Sequence, residues 1–235
     1  MILFLTALRS LIFDLFFYSW TAVASLIASL LVALKVPRPV FLAFAFFWIK
    51  STAAAERFIL GLSGELKGFD TLPPAPYIIA AKHQSAWETF KLPLWFDGAV
   101  IVLKEQLLRL PLWGPCVRLY GAIPVARSRK ASDLRMMLDA ATEYAKAGRP
   151  IVIFPQGTRV KPGVKKPYHR GVAVLYEHLN IPVVPLRLNS GNFWGRSAFL
   201  KSAGVITVEV LPAIPPGLPR DELMARIEAA LENEK

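Results

Sequence analysis

Apolar and polar positions divide the chain into two regimes. Residues 11–34 form an apolar run broken only by Asp14, and residues 15–34 carry no charge, which is long enough for a helix to cross a bilayer. A signal peptide is the rival reading, because Arg9 precedes the run and Ala22-Val23-Ala24 resembles a cleavage site. Asp14 inside the stretch, and the lack of a disulfide-bearing domain after it, count against that rival. Lys35-Val36-Pro37-Arg38-Pro39 stops the helix. Residues 40–49 are apolar and aromatic but too short to span alone, and they continue as a predicted helix to about Leu60, with Lys50 and Arg57 on one face. Residues 1–62 are therefore expected to form an N-terminal hydrophobic two-helix membrane hairpin, lying in one leaflet or spanning twice.

From Gly64 onward, short apolar runs alternate with helical periodicity. Strands are predicted at 65–68, 77–81, 99–103, 151–154, 183–188 and 205–211, and helices at 85–95, 112–120, 132–147, 172–179 and 220–231. The clearest helix is 132–147, where Leu134, Met137, Leu138, Ala141 and Tyr144 recur at helical spacing before Gly148 and Pro150 stop it. Residues 121–127 read as a turn. Alternation of this kind predicts an α/β domain over residues 63–235.

Composition adds a location for the charge. The 235 residues are 54% hydrophobic with a mean hydropathy of +0.41, and the formal net charge is +11. Residues 1–50 carry +3, residues 51–170 carry 18 basic against 9 acidic side chains, and residues 171–235 carry −1. A cationic middle beside an apolar anchor suits anionic lipid, phosphate esters or an acidic carrier. No zinc-ligand spacing, basic heptad or RNA-binding signature supports a nucleic-acid partner. The single cysteine, Cys116, excludes an intrachain disulfide and reads as a small core residue.

Candidate chemistry begins at Ala81-Lys82-His83-Gln84-Ser85-Ala86-Trp87-Glu88, where a buried strand gives way to a helix start. A carboxylate in the first helical turn can reach back to the imidazole and fix its tautomer, as a histidine general base requires. Ser85-Ala86-Trp87-Glu88 is equally a capping box, and spacing alone favours that structural reading. Further on, Gly121-Ala122-Ile123-Pro124-Val125-Ala126-Arg127 delivers an arginine, with Arg129 and Lys130 after it. Phe154-Pro155-Gln156-Gly157-Thr158-Arg159 leaves a strand through Pro and Gly and offers Thr158 and Arg159 to an anion. Arginine suits a phosphate monoester because its planar fork donates two parallel hydrogen bonds. Ile181-Pro182-Val183-Val184-Pro185-Leu186 reads as an apolar wall.

As an ordered set, His83-x-x-x-x-Glu88, Gly121-x-Ile123-Pro124-Val125-x-Arg127, Phe154-Pro155-Gln156-Gly157-Thr158-Arg159 and Val183-Val184-Pro185 resemble the four blocks of the 1-acylglycerol-3-phosphate O-acyltransferases, within the glycerophospholipid acyltransferase superfamily. The resemblance covers about residues 65–211. It implies a mixed sheet flanked by helices, as in glycerol-3-phosphate acyltransferase-like domains. It also implies His83 as base, Glu88 as its orienting partner, Arg127 and Arg159 as phosphate contacts, and Gly157 and Thr158 as shapers of that pocket. Two positions depart from the family's pattern: Glu88 stands where Asp is usual, and Gln156 where Glu is usual, so Gln156 receives no acid or base role.

The implied reaction moves a fatty acyl group from acyl-CoA or acyl-carrier protein to the free hydroxyl of a lysophospholipid, with no cofactor and no metal. Backbone N–H groups near Ser85 are the expected oxyanion donors. The expected location is a membrane, the bacterial inner membrane with the catalytic domain facing the cytoplasm, with membrane lipids among the partners. Alternative acceptors are a lyso-ornithine lipid and glycerol 3-phosphate. A reading from another class is a non-catalytic membrane lipid-binding protein, with Glu88 only a cap.

Overall fold

The computed structural model describes residues 2–126, 131–196 and 198–233. Among these, seven strands form one mixed sheet: β1 (Leu62–Lys67), β2 (Ile78–Ala81), β3 (Val100–Lys104), β4 (Ala122–Val125), β5 (Ile151–Ile153), β6 (Val183–Leu188) and β7 (Gly204–Val210). Their spatial order is β1-β7-β6-β2-β5-β3-β4. From β6 through β4 all neighbours run parallel; β7 turns antiparallel to β6, and β1 pairs parallel with β7. The carboxyl ends of β6, β2 and β5 therefore lie side by side at the middle of one edge, where open α/β sheets bind ligands.

Helices cover both faces: α1 (Ile2–Ala33), α2 (Arg38–Ala55), α3 (Trp87–Trp95), α4 (Trp113–Tyr120), α5 (Ala131–Lys146), α6 (Gly171–Leu179), the single turn α7 (Ser190–Phe193) and α8 (Arg220–Glu232). This coverage is why the central strands are apolar at every position rather than alternating. Ile79 and Ala81 of β2 face a core shared with Trp87, Phe90, Phe13 and Ile49. Ile78 and Ala80 face the opposite core, with Ala141, Val172, Leu175 and Ile227.

Two expectations need correction. Residues 122–125, read as part of a turn, form β4, pairing parallel with β3. Pro124 concealed it, because proline weakens a strand reading, yet β4 lies at the sheet's edge, where a missing N–H is tolerated. The first strand also begins earlier than expected, at Leu62, and contains Gly64. A Cβ there would lie 2.6 Å from the Trp87 indole and 2.8 Å from that of Trp95, so two rings occupy the space of the missing side chain. Arg127, Arg129 and Lys130 lie outside the described residues.

A long apolar helix followed by a second helix opens the chain, as expected. Asp14, which interrupts the apolar run, pairs with Lys201 at 2.6 Å, and Lys201 also lies over the Phe13 and Trp194 rings. Ser10 Oγ accepts the Lys201 N–H at 2.9 Å. Phe13 and Phe17 meet Trp194 edge-on at 5.3 and 5.6 Å between centroids. Toward the other end of α1, Ala28 packs with Phe41 and Cys116, and Ser29 Oγ donates to the Leu112 carbonyl at 3.1 Å. One face of α1 is thus occupied along its length, while Phe4, Leu15, Leu26 and Leu30 on the other are exposed.

Candidate active site

His83 lies two residues beyond the end of β2, on the sheet's carboxyl edge. Its main chain is gripped by the segment that leaves β5. The His83 N–H donates to Gln156 Oε1 at 3.0 Å, and the His83 carbonyl accepts the Val160 N–H at 2.7 Å. The ring stacks on Phe154, with centroids 4.2 Å apart and planes 20° from parallel. Nδ1 is 2.9 Å from Glu88 Oε1, which leaves Nε2 directed away from the carboxylate; among the described residues nothing is bonded to it. The extra methylene of Glu88 relative to Asp does not prevent the contact.

Glu88, on the first turn of α3, is fully buried. Its Oε1 accepts the N–H groups of Gln84 and Ser85, both at 2.7 Å, besides meeting His83, and its Oε2 accepts the hydroxyl of Ser190 at 2.8 Å. The capping box forms only in half. Glu88 returns to the Ser85 N–H, but Ser85 Oγ accepts from Trp87 rather than from the N–H of Glu88, at 3.1 Å. One oxygen therefore serves both the cap and the imidazole, so the structural and chemical readings of the motif coexist. The N–H groups of Gln84 and Ser85, expected as oxyanion donors, are committed to Glu88.

Sequence reasoning did not select Ser190 and Gln156. Ser190 is completely buried at the start of α7, just after β6, a strand read only as wall. Its signal was positional, since β6 neighbours β2 and its exit must open beside His83. Gln156, 3% exposed, was set aside for lacking a charge. Its role here is to accept an N–H, which an amide oxygen does as well as a carboxylate. Gln84 Oε1 accepts the Gly191 N–H at 3.0 Å and adds a second tie between the His83 loop and α7.

Past Gln156, the backbone at Gly157 adopts φ +63°, and the His169 ring lies 2.9 Å from where a Cβ would stand. Glycine is required there on both counts. Thr158 and Arg159 follow, half-buried, and among the described residues nothing accepts from the Arg159 guanidinium. The structure thus joins His83 and Glu88 directly and ties the Gly157–Arg159 turn to them through Gln156 and Val160. Of the other histidines, His178 is exposed and meets Thr142 Oγ1 at 3.0 Å.

A second buried carboxylate flanks α3. Glu56, at the start of the π-helical turn Glu56–Leu60 after α2, pairs through Oε2 with Lys91 at 2.9 Å and accepts the Trp87 indole N–H at 3.2 Å. Burial pushes its carboxyl above the usual carboxylate range, against the pull of Lys91. Oε1 has no hydrogen-bond partner among the described residues.

Between α1, α2, α3, α4 and the β3–β4 edge lies an apolar cavity of about 280 Å³. Ala24, Ala28, Trp48, Leu103 and Cys116 line it, together with Thr89 and Phe90, the residues that follow Glu88.

A family model described as Acyltransferase matches residues 65–189. The 1-acyl-sn-glycerol-3-phosphate acyltransferase of Pseudomonas aeruginosa is 33% identical over 167 residues, covering 71% of this chain and 65% of that protein. The human 1-acyl-sn-glycerol-3-phosphate acyltransferase alpha is 27% identical over 173 residues, covering 72% and 61%. The matches thus span a little under two thirds of these relatives' own length. The crystal structure of the 1-acyl-sn-glycerophosphate acyltransferase from Thermotoga maritima superposes with a TM-score of 0.76 at 18% identity, over 97% of this chain and 95% of that one, and shares the fold. The matched residues run from β1 past β6, through the histidine, the carboxylate and the turn that meet at the sheet's edge, and on that ground this chain belongs to the acyltransferase family.

Proposed function

We propose that this protein transfers a fatty acyl group from acyl-CoA or acyl-carrier protein to the sn-2 hydroxyl of 1-acylglycerol 3-phosphate, giving phosphatidic acid. The observation that carries the reading is an imidazole held through Nδ1 by a fully buried carboxylate, with Nε2 uncommitted, in a chain of this family. In the transfer, His83 Nε2 takes the proton of the acceptor hydroxyl as that oxygen attacks the thioester carbonyl. The tetrahedral adduct collapses with cleavage of the C–S bond, and the proton passes from the imidazolium to the departing thiolate. Glu88 acts through His83: it fixes the tautomer and offsets the charge of the imidazolium. Arg159, with Arg127, binds the acceptor phosphate, and Gly157 and Thr158 shape that pocket. The apolar lining of the cavity beside Thr89 and Phe90 is of a kind to receive an acyl chain.

Residues 1–62 are the membrane-associated part and residues 63–235 the catalytic part, seated on one leaflet with the site facing the cytoplasm. The packing of α1 supports a seat rather than a crossing. A pose that drove α1 through the bilayer would carry the Asp14–Lys201 pair, and the chain attached to it, into hydrocarbon, where charges are costly. The outward residues of α1, with Leu110, Leu112 and Trp113 beside its far end, offer an apolar surface to lipid.

The test is purified protein with labelled acyl-CoA or acyl-carrier protein and a panel of acceptors: 1-acylglycerol 3-phosphate, a lyso-ornithine lipid and glycerol 3-phosphate. Labelled phosphatidic acid from the first acceptor is the expected product. Preference for the lyso-ornithine lipid would reassign the acceptor, and no product from any acceptor would leave a lipid-binding protein.

A further inference from the structure

The charge of the middle region has a particular address. No acidic residue occurs between Glu143 and Glu177, and within that interval Arg159, Lys161, Lys165, Lys166 and Arg170 follow one another in the loop from β5 to α6. The loop is tied down at both ends beside the candidate active site: the Val160 N–H donates to the His83 carbonyl at 2.7 Å, and the His169 N–H to the Pro155 carbonyl at 2.8 Å. Between these ties it stands against α8 and borders an open concavity of about 480 Å³, within the range of small-molecule sites. Lys165, Lys166 and Arg170 supply positive charge, Tyr168 and Met224 supply an aromatic and an apolar wall, and Asp221 and Glu228 of α8 supply carboxylates.

We propose that this concavity holds the adenosine 3′,5′-bisphosphate end of an acyl-coenzyme A donor; the proposal rests on the transfer reaction above and names its donor. A nucleotide bearing phosphates matches the mixed lining. Its phosphates pair with the lysines, its base lies against Tyr168, and the amino group of adenine donates to a carboxylate of α8. The acidic surface of a carrier protein fits less well, because it brings neither a flat ring for Tyr168 nor a donor for the carboxylates of α8. Position agrees with chemistry. The Tyr168 hydroxyl donates to Glu232 Oε1 at 2.6 Å, and Glu232 Oε2 accepts from Lys82 Nζ at 3.1 Å, with Lys82 immediately before His83. Glu232 and Lys82 thus connect the wall of the concavity to the segment that carries the imidazole.

The experiment uses the full chain and the double variant Lys165→Gln/Lys166→Gln, both positions being exposed. Calorimetric titration with adenosine 3′,5′-bisphosphate should show binding to the wild type and at least tenfold weaker binding to the variant. In transfer assays the preference for acyl-CoA over the truncated donor acyl-pantetheine should fall about tenfold in the variant, with the acceptor KM unchanged. Equal binding by both proteins, or no binding by the wild type, overturns the site whatever the transfer assay gives. A variant impaired only with acyl-carrier protein also overturns it and turns the loop into a protein-docking surface. Nucleotide binding that is lost in the variant, in a protein that transfers no acyl group from any donor, would keep the site and reject the transferase reading.

Discussion

One buried carboxylate, Glu88, belongs to α3 and another, Glu56, packs against it, and their surroundings differ. Glu88 meets only uncharged donors and one imidazole: two backbone N–H groups, the Ser190 hydroxyl and His83. Glu56 faces a full cation, Lys91, with an indole N–H beside it. The first arrangement leaves the carboxylate's charge uncancelled by any permanent cation, so it is available to a histidine that becomes positive. The second neutralises the charge in place and joins the end of α2 to α3. Of two buried glutamates in contact with α3, the one without a permanent countercharge is the one suited to catalysis.

Substitutions can break this contrast. His83→Ala should lower kcat by about 10²–10⁴-fold while the melting temperature stays within a degree or two of wild type; near-normal turnover by the pure variant would remove His83 from the mechanism. Lys91→Met should act on the other side of the contrast. Leaving Glu56 buried without its cation costs about 3–5 kcal/mol of unfolding free energy, whereas Glu56→Gln with Lys91→Met together should lie near neutral. Denaturant titration of the single and double variants measures both, and a single variant as stable as the wild type would show that the pair is not a latch.

Glu88→Gln keeps the shape but sets an amide against either Nδ1 or Ser190, and kcat should fall by about 100-fold with little change in either KM. Arg159→Ala should raise the acceptor KM by about 10- to 100-fold, the loss expected for a charged hydrogen bond, and lower kcat less. An unchanged KM for the phosphorylated acceptor rejects that contact. The smallest effect belongs to Ser190→Ala, which removes one of the four bonds to Glu88 and should cost about 1 kcal/mol, roughly fivefold in kcat.

Much of the scaffold was legible because its signals are local. The apolar run of α1, the periodicity of α5 and the buried strands β2, β5 and β6 each announce themselves within one continuous stretch of chain. The strand β4 was hidden by Pro124, because proline is punished in a central strand and tolerated at an edge, and edge position is a property of the whole sheet. The pairing of His83 with Glu88 was legible as a spacing, but its meaning was not. The same glutamate completes a helix cap with Ser85, and only the fold shows one oxygen filling both roles. Ser190 was out of reach because it enters the site from the turn after β6, 102 residues from Glu88. Asp14 counted in the sequence only against a signal peptide; its pairing was out of reach because its partner, Lys201, arrives from the far end of the sequence.

That partnership bears on how the protein can be handled. Deleting α1 to obtain a detergent-free preparation would strip the cover from Trp194 and Phe90 and leave Lys201 without its acid. Such a truncate should precipitate or lose its shape. Polar replacements at Phe4, Leu15, Leu26 and Leu30 instead alter only the outward face. Rewriting that surface, with the inward face untouched, is the more promising way to obtain this protein in water for crystals or calorimetry.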